Sequence, residues 1–286
     1  MDALQVAGLT KTYRTFELRD VGFSLPAGFV MGLVGPNGAG KTTVMRLILN
    51  LAPREGGVVT VFGHDAVAEE QAAKELIGFV FDEPRFHEDV SLQTVKTAYS
   101  RFYPSWDEGL FAQLADEFQL SLRGTYKKLS LGNRTKFALA LALAHRPRLL
   151  IMDEPTAGLD PGFRRLLLNR LREFVAAGDR SVLFSTHITT DLDAIADYVT
   201  FIHRGRVAFT AGMDVIADSW AVVRGPDADV QRLAPASLLG TTQGAYSTEA
   251  LTQHAPQLRA SLPSTCVAEP ASLEEIMYFL DREARR

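Results

Sequence analysis

The run Gly35-Pro36-Asn37-Gly38-Ala39-Gly40-Lys41-Thr42-Thr43 carries the densest chemical pattern in the sequence, with Gly35, Gly40, Lys41 and Thr42 at the spacing G-x-x-x-x-G-K-[ST]. Glycines let such a loop curl until backbone N–H groups converge on phosphate oxygens, and a helix that starts there adds its positive pole. Lys41 would reach the outer phosphates as a point charge, and the Thr42 hydroxyl would take Mg²⁺. Leu149 to Met152 is an apolar run that ends in Asp153-Glu154. Ligands of open α/β sheets sit at the carboxyl ends of strands. There Asp153 would hold Mg²⁺ through its water shell, since this ion takes few carboxylates, and Glu154 would polarise an attacking water. The plain alternative is a surface turn bearing acids.

Three further residues are ambiguous alone. His187 closes Ser185-Thr186-His187 and can bond a γ-phosphate, or be structural. Ser130, before Leu131-Gly132, opens a helix whose free N–H groups make a second phosphate-binding end, or is an ordinary N-cap. Tyr13 could stack on an adenine ring or be a surface hairpin tyrosine.

Elements of the right kind flank these residues. Phe29 to Val34 reads as the strand before the glycine loop, and Val44 to Leu51 has helical spacing after it. Leu4 to Leu9 and Val21 to Leu25 read as short strands with Tyr13 in their connection, and Val58 to Phe62 and Ile77 to Phe81 as further strands around a helical stretch, Ala66 to Glu75. Leu92 to Phe102, Asp107 to Phe118 and Gly132 to Ala144 read as helices, a block inserted between strands. Asp160 caps a helix with Pro161 in its first turn and a stripe of Phe163, Leu167, Leu171, Phe174 and Val175, ending at Gly178. Val182 to Ser185 is a strand, and Tyr198 to His203 with Arg206 to Thr210 a hairpin. Beyond Asp218 the pattern weakens. Ala221 to Val223 is a candidate strand, Pro235 to Thr248 is rich in turn residues, and Ser272 with Glu275 has capping-box spacing before a stripe of Ile276, Phe279 and Leu280.

Composition bounds the rest. A length of 286 residues suits one large α/β domain with an appendage, or two modest domains, and 47% apolar with 22% charged residues is ordinary for a globular protein. A net charge of −4 offers no bulk attraction to nucleic acid or anionic lipid, so no nucleic-acid partner is expected. The single cysteine, Cys266, cannot form an internal disulfide and reads as a small buried apolar residue in a reducing compartment. No basic-then-apolar leader opens the chain, so no secretion signal is expected. The longest apolar run, Phe137 to Ala144, is far below the ~20 residues needed to cross a bilayer.

The order of glycine loop, serine-glycine helix start, Asp-Glu strand, Ala157-Gly158-Leu159-Asp160 and Ser-Thr-His resembles the nucleotide-binding subunits of ABC transporters over about residues 1 to 215. Phe102-Tyr103-Pro104-Ser105-Trp106 and Thr186-His187-Ile188-Thr189-Thr190-Asp191 resemble the bacterial ABC-2-type exporter ATPases, nearest the branch linked to antimicrobial-peptide or antibiotic export. The resemblance implies an α/β P-loop NTPase fold: a mixed-sheet core, an antiparallel β subdomain and an inserted helical subdomain at about 88–146. It places the ATPase domain at 1–218 and an accessory α+β region at 219–286.

The resemblance also implies a Mg²⁺-dependent ATPase. Tyr13 would stack on adenine, Gly35 to Thr43 would cradle the phosphates, Lys41 would hold the outer ones, and Thr42 and Asp153 would serve the metal. Glu154 would be the general base and His187 the γ-phosphate sensor. Ser130 and Gly132 would serve ATP on a second subunit, with Asp160 at the interface. Implied partners are a separate membrane-spanning permease and a second ATPase copy or relative, with the chain peripheral on the inner face of the cell membrane. Two positions depart from the family. Asp82, in Phe81-Asp82-Glu83-Pro84, stands where glutamine is usual and metal contact is expected, with Glu83 as the alternative. Leu131-Gly132-Asn133 replaces commoner glycine and glutamine at its outer positions. The rivals are a soluble ABC-type ATPase acting on DNA or ribosomes, and a nucleotide sensor whose C-terminal region responds. Part of the helical block, through Phe102, Tyr103 and Trp106, is expected to form a groove for the membrane subunit or to pack the block's own core.

Overall fold

Strands that are apolar along their whole length belong inside a sheet covered on both faces, and three such strands form the centre of this protein. The computed structural model describes residues 1–286 except 85, 234–237, 245–246, 260 and 284–286. The chain begins with a long hairpin, β1 (Asp2–Tyr13) and β2 (Phe16–Pro26), followed by β3 (Val30–Val34), the glycine loop and α1 (Lys41–Ile48). β4 (Gly56–Val61) and β5 (His64–Asp65) complete an antiparallel sheet of order β2-β1-β4-β5. After α2 (Glu70–Glu75) and β6 (Ile77–Val80) comes the helical block, α3 (Leu92–Ser100), α4 (Glu108–Glu117) and α5 (Leu131–Ala144). The chain then returns through β7 (Leu149–Asp153), α6 (Pro161–Val175), β8 (Ser181–Ser185), α7 (Thr189–Ile195), β9 (Tyr198–His203), β10 (Arg206–Gly212) and α8 (Met213–Ser219).

The second sheet has the order β10-β9-β3-β8-β7-β6. Its pairings are parallel except β9 with β10, the hairpin edge. Side chains alternate across it. Met31, Leu33, Leu149, Ile151 and Leu183 pack toward the antiparallel sheet and α1. Val30, Val34, Leu150, Met152, Val182 and Phe184 pack toward α5, α6 and the helical block. Two cores therefore clamp one sheet, and β3, β7 and β8 end side by side. The α/β expectation with antiparallel and helical additions holds.

The C-terminal region forms a third, antiparallel sheet from β11 (Ala221–Gly225), β12 (Thr241–Gln243), β13 (Thr248–Thr252) and β14 (Val267–Pro270), with α9 (Asp227–Arg232) and α10 (Ala255–Arg259) between them and α11 (Leu273–Glu283) at the end. The order β12-β13-β11-β14 with β-α-β-β-α-β connectivity is the split β-α-β arrangement of ferredoxin-like units. One face packs under α9 and α10 through Val223, Val230, Ala250 and Leu258. The other joins the main core through Trp220, Val222, Leu251, Ile276 and Phe279. Ser272 and Glu275 form the expected capping box, with the Glu275 N–H donating to the Ser272 hydroxyl at 3.2 Å and the Ser272 N–H to the Glu275 carboxylate at 2.9 Å. Cys266 is buried as expected.

Several boundaries differ from the sequence reading. β1 and β2 run well beyond Leu4–Leu9 and Val21–Leu25, because cross-strand pairing carries polar positions such as Lys11 opposite Leu18. Tyr13 is consequently the last residue of β1 rather than part of a connection. α2 starts only at Glu70, since the Asp65 carboxylate accepts from Val67 and Ala68 N–H and holds that stretch as a turn. Of the three aromatics expected to form a groove or to pack the block's own core, Phe102 is exposed. Trp106 tilts against Phe111 and donates its indole N–H to Glu108, and Tyr103 stacks on His145. Pro235, in the turn-rich stretch, lies outside the described residues.

His145, at the end of α5, is wholly enclosed and lies 3.8 Å from the Tyr103 ring. Burial lowers its pKa from 6.5 to about 4. Between these values the unfolded chain holds a proton that the folded chain lacks, so stability falls as pH drops from 6.5 toward 4. The expected loss by pH 4.5 is about 2.5 kcal/mol. Urea unfolding from pH 7 to 4.5 should show that extra slope for wild type and not for His145→Phe. Parallel profiles would show that His145 does not carry it.

Candidate functional site

The glycine loop is shaped by close approaches that only glycine tolerates. Gly35 has φ 152°, and a Cβ on it would stand 2.1 Å from the Ile202 carbonyl oxygen. Gly40, φ 115°, faces the Phe16 ring and Leu18, and precedes the first residue of α1. Its left-handed backbone turns the chain into the helix. The Lys41 ammonium, 7% exposed as a residue, folds back over the loop and donates to the Gly35 carbonyl at 2.8 Å, with Pro36 O at 3.4 Å. Burial lowers the Lys41 pKa, against the pull of Glu154 and Asp153. Asn37, Gly38, Ala39, Gly40, Lys41, Thr42 and Thr43 line one side of a cavity of about 540 Å³.

The acids close the other side. The Thr42 hydroxyl donates to Asp153 Oδ2 at 2.6 Å. The Ser185 hydroxyl, from the neighbouring strand β8, donates to Asp153 Oδ1 at 2.5 Å. The Glu154 N–H bonds Ser185 O at 3.1 Å and Ser185 Oγ at 3.2 Å. Glu154 sits just past β7 at φ 48°, strained for a residue with a side chain, as is common at functional sites. Its Oε2 lies 2.8 Å from His187 Nδ1 and accepts the His187 N–H at 3.2 Å. Lys41, Thr42, Asp153, Glu154 and His187, read from three separate stretches, thus form one connected constellation.

Asp82 lines the same cavity, and also a second one of about 700 Å³ walled by Phe79, Phe81, Pro84, Phe86 and Tyr99. Burial first, then the charges of Asp153, Glu154 and Glu83, raise its pKa, against His187. Glu83 lines only the second cavity. Tyr13 is 43% exposed, with the Lys11 ammonium 5.7 Å from its ring centroid, and borders the larger cavity beside Thr42 and Arg46. Ser130 caps α5, its hydroxyl accepting from Asn133 N–H, and is exposed. A Cβ on Gly132 would lie 3.8 Å from Gly158 O, so this helix start lies beside Ala157–Asp160, away from the residues around Lys41. Asp160 caps α6 through Phe163 N–H.

Sequence reasoning missed Ser185 as the brace of both acids, and Thr15 and Phe16 as cavity walls. Ser185 was visible only as a strand end before His187. Phe16 is paired with Tyr13 across the hairpin, a register the sequence does not reveal. Thr42, Asp153 and Asp82 offer hard oxygen ligands of the kind Mg²⁺ takes. Among the described residues no three or more His, Cys, Asp or Glu gather into a ready-made metal cage.

The family model for ABC transporter matches residues 18–157. ABC transporter ATP-binding protein NatA of Bacillus subtilis (strain 168) is 33% identical over 211 residues, 71% of this chain and 84% of that protein. Nod factor export ATP-binding protein I of Sinorhizobium fredii (strain NBRC 101917 / NGR234) is 33% identical over 214 residues, 71% of this chain. The match spans 61% of that relative's length. A solved ATP-binding subunit of an ABC transporter superposes with TM-score 0.69 at 28% identity, covering 75% of this chain and 91% of that one. The dimeric post-hydrolysis cassette MJ0796 bound to ADP and Pi shares the fold, with TM-score 0.65 at 20% identity over 73% of this chain and 98% of that one.

Ser185→Ala should cost about 1.5–3 kcal/mol of stability at neutral pH, because a buried carboxylate loses a donor. Denaturant titration checks it, and a change below about 0.5 kcal/mol would show the brace to be dispensable.

Proposed function

The chain belongs to the ATP-binding proteins of ABC transporters, and we propose that it binds and hydrolyses ATP with Mg²⁺ to drive a separate membrane-spanning permease. The observation that supports this reading is the convergence of Lys41, Thr42, Asp153 and Glu154 on one cavity, with His187 in contact with Glu154. Gly35 to Thr43 turn backbone N–H groups toward the phosphates. Lys41 exchanges its contact with Gly35 O for the outer phosphates. Thr42, Asp153 and Asp82 would hold Mg²⁺, which would neutralise phosphate charge. Glu154, oriented by its two contacts to His187, orients and deprotonates the attacking water. His187, exposed on its other side, is placed to bond the outer phosphate. Tyr13 offers the platform for adenine.

Ser130 is exposed and Gly132 lies beside Gly158, and neither lines the Lys41 cavity. They are placed to serve nucleotide held by a second copy or a related subunit across an interface near Asp160. No helix among the described residues is long and apolar enough to cross a membrane, and in this reading transport runs through a separate permease at the inner face of the membrane. Phe102, Tyr103 and Trp106 do not line the cavity of about 700 Å³, and the groove we assign to the permease is the part of that cavity walled by Phe86, Tyr99 and Ala138, its Tyr13, Thr42 and Asp153 walls serving the nucleotide. Residues 1–218 form the ATPase domain in this reading, with the helical subdomain at about 88–146 and 219–286 as an accessory region. Export, in the antimicrobial-peptide or antibiotic branch, is the direction the Phe102–Trp106 and Thr186–Asp191 texture favours.

Glu154→Gln is expected to retain MgATP binding and lose roughly 10²-fold or more of turnover. Turnover within a few-fold of wild type would remove Glu154 as the base. Asp82→Gln should leave hydrolysis measurable and shift its Mg²⁺ dependence, because a carboxylate bonds metal-held water more strongly than an amide. Superimposable Mg²⁺ titrations would take Asp82 out of the metal site.

A further inference from the structure

His187 is held toward Glu154 from one side only. Its side chain is 57% exposed, and its contacts with Glu154 are those of Nδ1 and its own N–H. The position of the imidazole therefore depends on what fixes the backbone behind it, which is α7. That helix has seven residues and no side-chain cap on its own N-terminus. So short a helix is unstable alone and must be held by tertiary contacts. α6, by contrast, has 15 residues, Pro161 at its start and Asp160 as a true N-cap.

Two arginines of α6 reach across to α7. Arg164 Nε donates to Asp191 Oδ1 at 2.7 Å, and its Nη2 donates to Thr190 Oγ1 at 3.1 Å. Arg172 Nη2 donates to the Ala194 carbonyl at 2.7 Å. The Asp191 carboxylate is 1% exposed. A buried carboxylate on a seven-residue helix is costly unless paired, and Arg164 is its ion-pair partner. Asp191 lies in the first turn of α7, four residues after His187, and Arg164 N–H donates to Asp160 O in the first turn of α6. The strap thus joins the residue after β8 that meets Glu154 to the loop that ends at Asp160.

We propose that Arg164 and Asp191 are positioning residues for hydrolysis: their ion pair makes α6 and α7 one body, which keeps His187 on Glu154 and couples its placement to the Asp160 loop. This rests on the ATPase reading above. Without the pair α7 keeps Leu192 and Ile195 in the core, but its first turn is untied, His187 leaves Glu154, and the water-activating carboxylate loses its orientation. Nucleotide binding, centred on Lys41 and the glycine loop, stays.

The test uses Asp191→Asn, Arg164→Lys, and the charge-free pair Arg164→Met with Asp191→Asn, which leaves no buried unpaired charge if either single change impairs folding. Turnover should fall about ten- to a hundred-fold, the scale of a misplaced catalytic group, with MgATP affinity within about two-fold of wild type. In a His187→Ala background the same changes should cost nothing further, since groups acting through one another are not additive. A readout free of turnover is the ¹⁵N NMR signal of the His187 imidazole in nucleotide-free protein. Its Nδ1 signal should change with Glu154→Gln, and should change in the same direction with Asp191→Asn and with the charge-free pair. An unchanged His187 signal in the strap variants, turnover within two-fold of wild type, or an equal loss in the His187→Ala background would overturn the proposal. Absent turnover in wild type would instead overturn the ATPase reading, and the NMR comparison would still decide whether the strap positions His187.

Discussion

A buried ammonium over a loop of glycines is the constraint from which the rest of the molecule follows. Lys41 has little access to water and takes its direct bond from the loop's own Gly35 carbonyl. That geometry demands a backbone no ordinary residue can follow at Gly35, where the Ile202 carbonyl stands in the place of a side chain. Ile202 belongs to β9 and pairs across the sheet edge with Val207, so the loop's shape is set by the sheet as well as by its own residues. The turn after β9 also binds the loop directly, through Gly205 N–H to Ala39 O at 3.0 Å.

Around this one cation the fold gathers three carboxylates, Asp82, Asp153 and Glu154. Their roles separate through their surroundings. Asp153 is buried, and each of its oxygens accepts one hydroxyl, from Thr42 and from Ser185. Glu154 is turned away at a left-handed backbone position and reaches His187. Asp82 has burial and like charges against it, which raise its pKa. Three carboxylates beside one ammonium give the cavity an excess of negative groups, an environment that favours a cation next to them.

How much of this could be read from the sequence depended on whether a signal was local. The glycine loop, the Asp-Glu strand end and the Ser-Thr-His turn are each contiguous, and buried strands such as β7 have continuous apolar runs. These were legible. What escaped is set by register and tertiary contact. Phe16 becomes a cavity wall only because it pairs with Tyr13. α7 has only Leu192, Ile195 and a buried Asp191 on its inward side, too few apolar residues to show a helical period. Leu192 also explains Gly32 within β3, where a Cβ would stand 2.3 Å from its Cδ2. The glycine there is a seat for α7, a role invisible from the strand alone.

The C-terminal region shows the same principle from the other side. Alternation marks a strand with one wet face, but β11 is covered on both, with Val222 turned to the main core and Val223 to α9 and α10. The sheet's edge strands, β12 and β14, are short, with mostly polar or exposed residues, so neither pattern was available. What organises the sheet is instead one side chain on β11. Arg224 bonds Glu249 on β13 at 2.9 Å, Glu275 on α11 at 2.7 Å, and Glu269 on β14. Its forked guanidinium can serve three carboxylates at once, which a lysine point charge could not do in the same fixed geometry. Because α11 also contributes Ile276 and Phe279 to the core shared with Phe201 and Trp220, the appendage is seated against the ATPase core by apolar packing and ordered internally by Arg224. Displacing it would expose that shared apolar surface, so its place on the ATPase core is part of the fold.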